Sequence, residues 1–241
     1  MAFIKVAVIN ASKCLTDKQV AAAVPALQTQ VTRDFAPAWG VDAELSFVGK
    51  GKKPAPGSWW LVILDDSDQA GALGYHDLTK DGLPLGKVFA KSDLDNGYVW
   101  TVTASHELLE MLGDPDINLT AFVQRSDNAG RLYAYEVCDA CEADKFGYKI
   151  GGTAVSDFVY PAWFESFRKK ASTQFDYGKR IKAPFQLLSG GYIGVFDVGS
   201  GGGWTQITAE GMPHAYSARP RVGSRRERRR TPRQQWLKSA P

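Results

Sequence analysis

Apolar and polar positions are ordered from the start of the chain. Phe3-Ile4-Lys5-Val6-Ala7-Val8-Ile9 predicts a buried strand over 3–9, with a turn at 10–13. Thr16-x-x-Gln19 has the spacing of a capping box, in which each side chain satisfies the other's backbone N–H. It opens an amphipathic helix with Val20, Val24, Leu27, Val31 and Phe35 on one face, and Pro25 is expected to kink or shorten it. Two strands follow at 43–48 and 58–64, separated by a Gly/Lys/Pro surface loop.

A short strand is expected at 86–91. After the turn-forming 93–97, residues 99–112 have helical periodicity, stopped by Gly113 and Pro115. Downstream, 132–138 and 154–159 alternate as strands, and 147–150 forms a small hairpin arm. Pro161 opens a helix that turns Phe164, Phe167 and Ala171 inward, 192–198 is a last strand, and Gly199–Gly203 is a flexible turn. No internal repeat is visible. The succession predicts an α/β (α+β) chain.

Length and composition make one large domain the economical reading. In 241 residues, 44% hydrophobic and 12% aromatic side chains supply a substantial core, placed at 1–216. Charge separates the remainder. The formal net charge of +3 hides an acidic body, with 20 basic against 25 acidic side chains up to residue 216, and an Arg-rich tail over 217–241. The tail has few apolar residues to bury and is expected to be peripheral. Three cysteines are too few for a disulfide framework, and no apolar run reaches membrane-spanning length. A protein without membrane partners is expected, cytoplasmic by default or virion-associated if phage-encoded.

Chemistry enters at His106-Glu107-Leu108-Leu109-Glu110-Met111-Leu112-Gly113-Asp114-Pro115-Asp116. Positions i and i+4 share a helical face, so the His106 imidazole and the Glu110 carboxylate can converge on one cation. Glu107, one step round, can reach water beside it. The same residues also read as a half-buried histidine with solvated glutamates. A downstream acidic segment with Glu136, Asp139 and Glu142 could fold back over the helix and supply a third ligand.

The stretch resembles the zincin metallopeptidases, whose active-site helix reads H-E-x-x-H, and more closely the metzincin extension H-E-x-x-H-x-x-G-x-x-H/D. Here it stands as His106, Glu107, Glu110, Gly113 and Asp116, with a glutamate replacing the second histidine. The longer pattern H-E-x-x-E-x-x-x-D-P, followed by 135–139 and 155–164, is also similar to a set of uncharacterised bacterial and phage proteins; the likeness spans roughly residues 86–165. The resemblance implies a mixed twisted sheet with the active-site helix packed against it, and zinc or another divalent metal as cofactor. It makes His106, Glu110 and Asp116 the metal ligands, with Glu136 and Asp139 as alternates for the third, and Gly113 the turn that redirects the chain. Glu107 becomes the general base acting on metal-activated water in hydrolysis of a peptide or protein. An extended substrate would add along the strand 86–91. One imidazole with two carboxylates cancels the charge of a divalent ion, which makes a weaker Lewis acid than two imidazoles with one carboxylate.

The alternative is a non-catalytic protein of the same shape, structural or binding and phage-related. Its tail residues Arg225, Arg226, Arg228, Arg229 and Arg230 would contact nucleic-acid phosphates, an acidic partner or a neighbouring subunit. Cys138-x-x-Cys141 lacks a second pair and reads as ordinary reduced thiols. His76 and His214 read as surface or turn residues. The Gly199–Gly203 loop lacks the Lys-Ser/Thr of a phosphate-binding loop.

Overall fold

A computed structural model describes residues 4–68, 72–199, 203–211 and 213–214. Strand β1 (Ile4–Asn10) leads into helix α1 (Asp17–Thr29), whose N-terminus carries the expected Thr16–Gln19 capping box. Pro25 does not end α1. The helix runs on to Thr29, then widens into a π-helical stretch, Gln30–Phe35, and a last turn, α2 (Ala36–Trp39). Strands β2 (Ala43–Val48) and β3 (Trp59–Leu64) follow, then β4 (Gly74–Leu78), β5 (Pro84–Phe89), the short helix α3 (Ala90–Asp95) and helix α4 (Trp100–Gly113).

These strands form a mixed sheet in the order β2-β1-β3-β5-β4, parallel except for the outermost strand, β4, which runs antiparallel to β5. Strand β5 is therefore interior. The outer position expected of 86–91 belongs to β4. One face of the sheet, with Val6, Val8, Leu61, Ile63 and Val88, is buried in a single cluster with Val20, Leu27, Val31 and Phe35 and with Leu108, Leu109, Met111 and Leu112 of α4. The other face exposes Lys5, Glu44 and Ser46. Period-two burial thus puts α1 and α4 on the same side.

The rest of the chain builds a second, antiparallel sheet in the order β12-β11-β10-β7-β6. Its strands are β6 (Thr120–Ser126), β7 (Ala129–Ala134), β10 (Tyr192–Val198), β11 (Thr205–Thr208) and β12 (Pro213–His214), while β8 (Tyr148–Ile150) and β9 (Thr153–Val155) form the expected hairpin arm. The strand expected at 132–138 ends at Ala134, and a short helical turn follows at Asp139–Cys141. The strand expected at 154–159 stops at Val155, leaving one isolated bridge, Val159 to Asp176. The helix expected from Pro161 is a single turn, Pro161–Phe164. Phe164 is buried, but Phe167 lies beyond that turn and is 74% exposed.

Loops between the sheets are tied to the helices. Thr101 donates to the Ala154 carbonyl at 2.7 Å, Gln30 donates to the Ser156 carbonyl at 2.8 Å, and the Ser156 N–H donates to Ser105 Oγ. Among the described residues, no helix is long and apolar enough to cross a membrane.

Candidate metal centre

Helix α4 has only a narrow polar edge. Leu108, Leu109 and Met111 are fully buried, and burial of such side chains contributes about 1.5–3 kcal/mol each. That fixes the rotation of the helix and with it the direction of His106, Glu107 and Glu110. Glu107 and Glu110 are themselves only 5% and 4% exposed. Room for Glu107 comes from two glycines on the strands beneath. A Cβ on Gly74 would stand 2.6 Å from Glu107 Oε1, and one on Gly86 would stand 3.4 Å from Glu107 Cβ.

His106 Nε2 lies 3.3 Å from Glu110 Oε2 and 3.3 Å from Asp139 Oδ1. These separations lie at the long end of an N–H···O contact. Donors held about 2.1 Å from one tetrahedral cation stand about 3.4 Å apart, which both His106 contacts match, while Glu110 and Asp139 fall in different donor groups around that imidazole. Asp139 reaches this position on the turn Asp139–Cys141, where Gly191 permits close approach: a Cβ there would lie 2.4 Å from the Ala140 carbonyl oxygen. The Tyr192 hydroxyl hydrogen-bonds Asp139. Glu142 joins His106 and Asp139 in a group whose donor atoms lie within 4.8 Å of one another, and Cys138 forms a similar group with His106 and Glu110. The Cys138 N–H also donates to Glu110 Oε1 at 3.2 Å.

Asp116 is not brought to this centre. It is exposed in the turn after α4, where Ile117 has φ 52° and the buried Asp114 carboxylate accepts N–H bonds from Asn118 and Leu119. Gly113 is the last helical residue, and its lack of a side chain serves packing: a Cβ would meet Val137 Cγ1 at 3.0 Å. The chain turns three residues later. The alternates Glu136 and Asp139 do reach the centre.

Sequence reasoning set His76 aside, but the structure buries it, 7% exposed, in the centre of β4. It pairs with Gly86 on the face that carries Gly74, so it points at α4. Its Nδ1 is 3.6 Å from Glu110 Oε2 and 3.8 Å from Glu107 Oε2, and its Nε2 is 3.7 Å from Glu136 Oε2. Alternation at Gly74-x-His76-x-Leu78 was the available signal.

The acids are electrostatically unequal. For Glu110, burial would raise the pKa, but the His106 charge and hydrogen bond, the His76 charge and the Cys138 N–H outweigh it and bring the value to about 2. Burial is also the largest influence on His106, opposing its charge, yet Glu110, Asp139 and Glu107 together lift that imidazole well above its usual value. Glu107 is raised well above the carboxylate range, first by burial and then by Glu110 and Asp139, against the pull of His106. Burial and neighbouring acids likewise raise Glu136 strongly, Asp139 to about 7 and Glu142 to about 8. Glu107 Oε2 is buried with no hydrogen-bond partner. Mixed nitrogen and oxygen donors with one unsatisfied carboxylate oxygen fit a divalent cation, whose charge would reverse these upward shifts.

Cys14, Cys138 and Cys141 are free thiols. Arg225, Arg226, Arg228, Arg229 and Arg230 lie outside the described residues. Comparison of the chain with protein-family models, with curated proteins and with solved structures gives no match.

Proposed function

We propose that this chain is a metal-dependent peptidase or peptidase-like hydrolase of the zincin-like class, with His106, Glu110 and Asp139 holding a zinc or other divalent ion and Glu107 acting as general base. The observation that carries the reading is the convergence of Glu110 and Asp139 on His106 Nε2, both at 3.3 Å, beside a buried glutamate one residue along the helix. A mixed sheet with α4 packed across β3, β4 and β5 supports the resemblance of the motif.

A cation in this position polarises a carbonyl oxygen and makes nearby water more acidic. The protein does the rest. Glu107 takes the proton of the attacking water and delivers it to the leaving amine. Burial pushes the Glu107 carboxylate well above its ordinary range, against the pull of the neighbouring imidazole, which makes it a stronger base than an exposed glutamate. Glu110 is fixed by the Cys138 N–H and Asp139 by the Tyr192 hydroxyl, so neither ligand swings free. β4, the outer strand that carries His76, flanks the carboxylates, so an extended peptide would meet β4 rather than β5. One imidazole with two carboxylates leaves a divalent site formally neutral, which favours zinc with modest Lewis acidity or a harder ion such as manganese.

The test is elemental analysis and a peptide-hydrolysis assay on wild type beside Glu107→Gln, His106→Ala and Asp139→Asn. Glu107→Gln is expected to retain its metal and lose about 100-fold or more in rate. The His106 and Asp139 variants are expected to lose the ion held at His106. Hydrolysis that persisted unchanged in Glu107→Gln would refute the mechanism.

A further inference from the structure

Glu110 faces two histidines that belong to different donor groups. Its Oε2 lies 3.3 Å from His106 Nε2 and 3.6 Å from His76 Nδ1. His106 groups with Glu110 and Cys138 and, separately, with Asp139 and Glu142, while His76 groups with Glu110 and Glu136. We infer that the centre holds two divalent cations bridged by Glu110, the first on His106, Glu110 and Asp139 and the second on His76, Glu110 and Glu136. This rests on the metal reading of the first site.

Three observations carry it. The bridging oxygen stands at a similar distance from the leading nitrogen of each group, as one carboxylate does when it joins cations roughly 3.5–4 Å apart. Its second oxygen is held by the Cys138 N–H, which fixes Oε2 between the groups. Glu107 Oε2, buried and without a hydrogen-bond partner, faces the second group 3.8 Å from His76 Nδ1.

The composition of the cluster points the same way. Glu107, Glu110, Glu136, Asp139 and Glu142 crowd around two imidazoles. Within 4 Å, among the described residues, Glu107, Glu110, Glu136 and Asp139 have histidines as their ion-pair partners. The donors are one imidazole nitrogen and carboxylate oxygens in each group, a chemistry suited to zinc or manganese.

The experiment titrates metal-free protein with Mn(II), measuring bound equivalents by elemental analysis after desalting and the electron paramagnetic resonance spectrum of the loaded protein. Wild type is expected to bind two equivalents with a spin-coupled signal. His76→Ala and Glu136→Gln should each bind one, with the six-line signal of an isolated ion, and His106→Ala should also retain one. Circular dichroism melts confirm that each variant is folded, and His76→Gln gives a second probe of the same ligand if His76→Ala is not. A single equivalent in wild type that survives His76→Ala overturns the bridged pair and leaves the hydrolase reading standing, whereas a single equivalent lost with His76→Ala overturns both. Two equivalents undiminished in the folded His76 and Glu136 variants also overturn it, and no bound metal in wild type overturns both readings.

Discussion

Asp65 illustrates how one carboxylate sets a loop that the sheet cannot. It accepts hydrogen bonds from Ser12 Oγ at 2.6 Å and from the backbone N–H groups of Lys13 and Cys14 at 2.8 and 3.1 Å, closing the turn between β1 and α1. Burial acts first and raises its pKa, but these donors outweigh it and bring the value to about 2. The folded value lies below the unfolded value of about 3.9, so the contribution is fully present above about pH 4 and is lost as pH falls toward 2. Asp65→Asn should therefore cost about 1 kcal/mol in urea unfolding at pH 7, a modest figure because the group is partly exposed. The gap between variant and wild type should narrow between pH 4 and 2, and a gap that stayed constant would show that charge is not what holds the turn.

At the scale of elements, the centre depends on how closely α4 lies on β4 and β5. Gly74→Ala would set a Cβ 2.6 Å from Glu107 Oε1 and 2.8 Å from its Cγ. The flexible carboxylate yields before the strand does, so the loss of stability should stay near 1 kcal/mol. The displaced base should lower peptide hydrolysis about 100-fold while metal at His106 is retained; steady-state kinetics and metal content on the same sample test this. α4 was legible in the sequence because its apolar period and the His106/Glu110 spacing agree on one face. β4 was not, because Gly74, His76 and Asp77 are poor strand formers and the strand is imposed by pairing with β5. The same shortfall hid His76. Glu136 and Asp139 were legible as acids on a returning segment, but their placement depends on β7 ending at Ala134 and on the close approach of Gly191, both tertiary effects. Asp116 followed from motif spacing alone, and spacing could not register that Asp114 caps the following turn and leaves Asp116 outside.

For the whole molecule, the two sheets meet around a charge arrangement that strongly couples stability to both pH and metal. Without a cation, burial and mutual repulsion raise Glu107, Glu136, Asp139 and Glu142, and the surrounding acids raise His106. Each of these groups binds its proton more tightly in the folded state, so the metal-free fold loses stability as pH rises from the unfolded carboxylate values through about 7 to 8. Glu110, lowered to about 2, acts oppositely, but only below the unfolded carboxylate range. A cation that binds the folded state with these carboxylates ionised must displace their protons, so its affinity should rise over the same interval. Thermal melts in chelator should therefore show Tm falling from pH 5 to pH 8, whereas melts with excess zinc should fall much less, and the zinc-induced shift should be largest at pH 8. Calorimetric titrations in buffers of different ionisation enthalpy should show net proton release at pH 6. A zinc-induced shift in Tm that was the same at pH 5 and pH 8 would mean that the buried acids are not what the cation replaces protons on, and would move the ligands away from the interior face of α4.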